Sequence, residues 1–298
     1  MTRTAPFAAI GFMLTSALLI AGTTLVAKAL GTGQFGTIAL GPELHPLQVT
    51  FGRFLFAWIA VATAVAVMRP VLVRPSWKLH FARTICGAIG VTLMFAAAAA
   101  IPLADATAIS FLNPVFAMIL AMVALGERVG PWRWAAAAIS LFGAMALIRP
   151  GGDGVQAGAL LALAAAMILG VEITVIKYLS GRELPLQILL INNTIGLGLI
   201  SVAVIAVWQN PTALQWVGLA TLGLLMAGAQ FCFVNAMARA EASFVAPFSY
   251  TTLIFAALYD FAIFGSFPAA LSCSGIALIL VGAGVLAWRE ATHKQRVQ

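Results

Sequence analysis

Charged side chains are scarce: they make up 8% of the 298 residues, against 62% hydrophobic, where soluble domains are roughly a quarter charged and about half apolar. This excludes a soluble globular enzyme and a disordered chain alike, because a soluble domain of about 300 residues still needs a polar skin over the surface it exposes. Cysteine is rare as well. Cys86, Cys232 and Cys273 each sit inside an apolar stretch without CxxC spacing, which argues against a disulfide framework or a thiolate metal site. His45, His80 and His293 are scattered, with no HExxH pattern, so a metal hydrolase is not indicated. No GxxxxGK[ST] sequence occurs, which removes ATP hydrolysis through a P-loop. Gly151-Gly152-Asp153-Gly154 has no strand before it and reads as a turn. The expected cofactor and metal content is none, and the expected class is not an enzyme.

What the chain has in abundance is long apolar runs. Broken at glycine, proline and charge clusters, they give approximate spans 7–30, 44–67, 79–100, 105–125, 132–148, 155–178, 185–207, 213–238, 243–264 and 268–288. Each suits a membrane-spanning helix of about 20 residues. Arg3 precedes an apolar run from Phe7 to Ala27 that is too long for a typical signal core, so the first run is expected to be a retained span. The net charge of +7 is not a nucleic-acid patch. With the N-terminus inside, thirteen of the sixteen Lys and Arg residues fall on the cytoplasmic side, as the retention of basic loops requires. Both termini are then cytoplasmic, in a bacterial-type inner membrane.

An internal repeat organises these spans. Lys28, His45-Pro46-Leu47-Gln48 and Arg53 recur as Lys177, Leu184-Pro185-Leu186-Gln187 and Asn192; Asp105 and Thr107 followed by Asn113-Pro114 recur as Glu241 and Ser243 followed by Ser249-Tyr250. The chain divides into halves 8–149 and 155–288, each of five spans. Five is odd, so the halves enter the membrane in opposite senses and form an inverted repeat. The expected fold class is an all-α polytopic membrane protein of ten helices around a central cavity. Two such halves have near-equivalent packings open to either side, the physical basis of alternating access.

Candidate site residues are polar groups that interrupt the spans. Pro114 and Pro247 remove a backbone donor in mid-span, freeing a carbonyl that must face protein, water or substrate; Asn113 and Tyr250 accompany them. Arg53 and Glu172 lie deep in their spans, where a charge cannot be left facing lipid. Arg53 reads as a site for an anionic group or as the partner of a structural carboxylate, and Glu172 as a coupling group or half of an ion pair. Gln230 and Asn235, with Gln48, Asn192 and Asn193, either bond helix to helix or line a path. Trp58 belongs to an aromatic set that suits a small neutral or aromatic solute. Lys28, Lys177 and Asp260 lie near span ends, where snorkelling to the interface is expected. Asp105 and Glu241 open the fourth and ninth spans as helix caps or dipole partners.

The chain resembles the drug/metabolite transporter superfamily, in its branch with two EamA domains. The resemblance rests on Phe51-Gly52-Arg53-Phe54, on Arg83 with Gly87, on Asn113-Pro114-Val115-Phe116 followed by Gly126-Glu127, on Ala246-Pro247-Phe248-Ser249-Tyr250-Thr251 and on Gly265-Ser266-Phe267-Pro268. Ser266 stands where the second half usually has glutamate, and Asp260 where a small residue is common. The resemblance implies a basket-like bundle whose spans one to four and six to nine line the cavity. It also implies secondary transport of a small organic metabolite, closest in look to the riboflavin or S-adenosylmethionine uptake branches, with export of amino acids or toxic compounds as the alternative. The expected partners are that metabolite and the lipid bilayer, with a homodimer left open and no nucleic acid.

Overall fold

The computed structural model describes residues 6–110, 112–113, 115–116, 119–120, 134–135, 138–139, 142, 156–179, 183–239, 251–265, 273–274, 276–278 and 281. Helix α1 spans Pro6–Thr32, α2 Pro46–Met68, α3 Trp77–Ala100 and α4 Leu103–Ser110. Helix α5 spans Ala157–Leu179, α6 Pro185–Val204, α7 Ala213–Arg239 and α8 Thr251–Phe264. Among the described residues, six helices are long and apolar enough to cross a membrane, and the 14-residue α8 is shorter. Of the expected fourth span, 105–125, the described residues are 105–110, 112–113, 115–116 and 119–120; of the fifth they are 134–135, 138–139 and 142, and of the tenth 273–274, 276–278 and 281.

Local chemistry sets the ends of these helices. His45 caps α2 by accepting the Leu47 N–H at Nδ1 (3.2 Å), and Pro46 follows at a position where its missing donor costs nothing. Arg69 closes α2 in the left-handed region (φ 46°), returning its N–H to Val65 O at 2.8 Å. Ile101 ends α3 in extended backbone, as the residue before Pro102 must. The loop after α1 holds a two-stranded antiparallel hairpin, β1 (Gln34–Phe35) and β2 (Ile38–Ala39), which the sequence reading did not anticipate. Gly36 turns it at φ +60°, and a Cβ there would lie 2.9 Å from the Ile263 carbonyl of α8.

Among the described residues, the helices pack more extensively across the two halves than within them. The most extensive contacts are α1 with α7 and α3 with α5. In repeat order these are spans one with eight and three with six, which exchange under the expected pseudo-two-fold. α2 and α6, the second and seventh of the expected spans, also pack against each other. Two glutamines register this pair. Gln48, in the first turn of α2, donates to Gln209 O (2.7 Å) and accepts the Gln209 N–H (3.3 Å) beyond α6. Gln187, in the first turn of α6, donates to Val73 O and accepts the Val73 N–H (both 2.8 Å) beyond α2. Each amide therefore pairs with both backbone polar groups of one residue past the far end of the opposite helix, which requires α2 and α6 to run antiparallel.

The core between the halves is apolar: Leu30, Val49, Phe95, Leu219 and Leu222 form one buried cluster drawn from α1, α2, α3 and α7. Ile59, Ile89, Val202, Leu224, Phe231 and Leu258 are exposed on the outside of the bundle. A surface of that kind is stable against lipid and not against water.

Candidate functional site

Arg53 on α2, Arg83 on α3 and Glu172 on α5 converge inside the bundle. Arg53 and Arg83 are 5% and 4% exposed. Arg83 Nε stands 3.6 Å from Glu172 Oε1, and its NH1 donates to the Ile188 carbonyl of α6 at 3.2 Å. Arg53 lies within electrostatic range of both Glu172 and Arg83, with its guanidinium 4.5 Å from the Phe54 ring. One turn from Arg83, a Cβ at Gly87 would come within 2.8 Å of Glu172 Oε1, so glycine makes room for the carboxylate. Thr84 donates to Asn192 Oδ1 at 3.2 Å, extending the polar cluster to α6. Among the described residues, Arg53 Nε and NH1 and Arg83 Nε are buried without a hydrogen-bond partner.

The structure thus brings together Arg53 and Glu172, and adds Arg83, which sequence reasoning took only as a topology marker and family residue. Its depth in α3, six residues past Trp77, was the available signal. Trp58 lies five residues beyond Arg53, about 140° around the same helix, and donates its indole N–H to Thr194 Oγ1 on α6 at 3.0 Å. Gln230 and Asn235 are half-buried on α7, and Asn235 donates to Phe231 O at 2.9 Å. Asn113 is half-buried. Pro114, Pro247 and Tyr250 lie outside the described residues. A groove of about 370 Å³, lined by Leu47, Ile85, Ile89 and Leu199 among others, is apolar and holds none of these candidates.

Two further clusters tie the halves together. Lys28 of α1 pairs with Asp260 of α8 through a buried ion pair. Asp260 also accepts the Leu103 N–H that opens α4 (2.9 Å), and Lys28 sits 4.6 Å from the Phe264 ring. This corrects the snorkelling expectation for both residues. Lys28 is 8% and Asp260 1% exposed, because each finds its counter-charge inside the bundle and need not reach the interface. The Lys177 side chain lies outside the described residues. Asp105 stands in the first turn of α4 as expected, but the helix's opening amide is met by Asp260 from another helix.

The second cluster joins the start of α3 to the loop before α6. Glu183 accepts from the Ser76 N–H, shares a bond with His80 Nε2 and accepts from Gln187 Nε2, all at 2.8 Å. Burial pushes the Glu183 carboxyl up, but these bonds outweigh it and leave it below the usual carboxylate range. His80 thus has the carboxylate companion that its sequence neighbourhood lacks. No group of three or more metal-ligating side chains exists among the described residues.

The chain is similar to known proteins along most of its length. The EamA-like transporter family matches residues 7–149 and 156–288. The chain is 35% identical over 224 residues to a riboflavin transporter of Rhizobium johnstonii, covering 74% of this chain and 72% of that one. It is 29% identical over 255 residues to a riboflavin transporter of Vibrio cholerae, covering 80% and 84%. It is 26% identical over 243 residues to an S-adenosylmethionine uptake transporter of Rickettsia bellii, covering 81% and 83%. A solved crystal structure shares the fold at a TM-score of 0.64 and 23% identity, over 96% of this chain and 99% of that one. With two matches that together span nearly its whole length, the chain belongs to the EamA-like transporter family.

Proposed function

We propose that the protein is a secondary carrier, not an enzyme, which takes up a small aromatic metabolite such as riboflavin across the cytoplasmic membrane by alternating access. The observation that carries this reading is the reciprocal packing of the halves, α1 on α7 and α3 on α5, around a largely buried polar cluster. Two interchangeable halves supply two states of similar energy, one open to each side. The riboflavin transporters among the relatives support the flavin. Arg53, Trp58, Asn113, Gln230, Asn235 and Tyr250 are the proposed substrate contacts, Pro114 and Pro247 the helix breaks beside them, and Glu172 the coupling group. A second reading, a solute bearing an amino-acid group, is favoured by the two buried arginines and by the S-adenosylmethionine transporter among the relatives.

Purified protein in proteoliposomes loaded with riboflavin is expected to exchange external labelled riboflavin, and excess unlabelled flavin to abolish the exchange. Absence of flavin counterflow, with counterflow of labelled S-adenosylmethionine or an amino acid instead, would replace the first reading by the second.

A further inference from the structure

We infer that Arg53 and Arg83 form a buried oxyanion site in the carrier, that Glu172 is its resident counter-ion, and that the transported metabolite presents a carboxylate or phosphate that displaces Glu172. This rests on the carrier reading and departs from riboflavin itself, which bears neither group: a flavin carried through this site would be one with a phosphate, such as riboflavin 5′-phosphate.

Among the described residues, the cluster is short of negative charge and of acceptors together. There two guanidiniums face one carboxylate, which leaves one positive charge uncompensated within the described part of the cluster. Arg53 Nε and NH1 and Arg83 Nε are buried without hydrogen-bond partners among the described residues. A buried guanidinium left in that condition is costly, and so is worth holding where a ligand completes it. A cation is repelled by the residual charge. A neutral amide or hydroxyl supplies acceptors but leaves the charge. An oxyanion supplies both, and the planar fork of arginine matches the paired oxygens of carboxylate and phosphate.

Glu172 fits the part of a removable counter-ion. Its approach to Arg83, at 3.6 Å, is longer than a hydrogen bond, and its carboxylate rests against Gly87 with no side chain to wedge it in place. Arg83 is held independently by the Ile188 carbonyl, so it keeps its position when Glu172 gives way. The arginines stand on α2 and α3, while Glu172 and Ile188 stand on α5 and α6. An anion bridging the cluster therefore bears on contacts between the two halves.

The test uses the full chain in detergent, with potassium phosphate and potassium acetate titrated against potassium chloride at matched ionic strength. The expected result is a saturable rise of the thermal midpoint, with phosphate and acetate separating the two oxyanions by affinity. Arg53→Gln should weaken the response at least about tenfold. Glu172→Gln should strengthen it, which a merely structural ion pair would not do. Should Arg53→Gln not fold, Arg53→Lys keeps the charge but loses the fork, and is expected to bind more weakly than the native protein. Arg74→Gln, at an exposed position, should leave the response unchanged.

No specific response to either oxyanion, or an equal loss in Arg74→Gln, overturns the inference. A parallel arm compares riboflavin with riboflavin 5′-phosphate. At least tenfold tighter binding of the phosphate, lost in Arg53→Gln, supports the site. An oxyanion response without binding of either flavin leaves the site standing and removes the flavin reading. Riboflavin binding without an oxyanion response does the reverse.

Discussion

Asp260 serves two helices at once, pairing with Lys28 of α1 and capping the first amide of α4. Asp260→Asn would leave a buried ammonium without its counter-charge, which costs about 3–5 kcal/mol. The expected outcome is a large fall in thermal midpoint, much of it recovered when Lys28→Met is added, as read in a double-mutant cycle. Glu183 makes a prediction about pH. Its folded value is depressed, so its contribution is complete above the unfolded value of about 4.3 and is lost as pH falls through the folded value. Thermal midpoints measured from about pH 5 to pH 3 should fall less steeply for Glu183→Gln than for the native protein. Equal slopes would show that the carboxylate adds nothing. For transport, Asn113→Ala and Tyr250→Ala should each raise KM for the substrate.

Between elements, glycine and glutamine set how the helices meet. A Cβ at Gly223 of α7 would stand 2.5 Å from Phe56 Cβ and 2.9 Å from the Ala57 backbone nitrogen, so α2 and α7 touch nearly backbone to backbone. Gly223→Leu should destabilise the bundle by about 1–3 kcal/mol, measurable as a lowered midpoint in detergent. Gln187→Ala removes both bonds that hold Val73 and should accelerate hydrogen exchange in the segment after α2. The matching change Gln48→Ala should act on the segment around Gln209. Most helix limits were legible in the sequence, since Pro46, Pro185 and Pro102 punctuate the chain locally. The hairpin at Gln34–Ala39 was not, because strands of two residues have too little periodicity to recognise.

For the whole molecule, the five spans expected per half make the topology a measurable consequence. Reporter fusions should place both termini in the cytoplasm if the distribution of Lys and Arg sets orientation. Glu172→Gln is expected to keep counterflow but lose accumulation driven by a proton gradient; gradient-driven accumulation by this variant would remove Glu172 from coupling. The roles that sequence suggested for Arg53 and Glu172 followed from depth alone. Their convergence with Arg83 did not, since helix α5 begins more than fifty residues after α3 ends.

The amino-acid sequence by itself determined the solvent, the helical class, the two matching segments and the punctuation of the spans. Hydropathy, proline and charge placement are local properties, and in lipid a backbone must bond within its own segment. Only the tertiary structure decided which polar groups meet. Lys28 and Asp260 are 232 positions apart, and His80 and Glu183 are 103. Such meetings depend on how helices cross and which face each presents, and a hydropathy pattern that is apolar on every face carries no record of that.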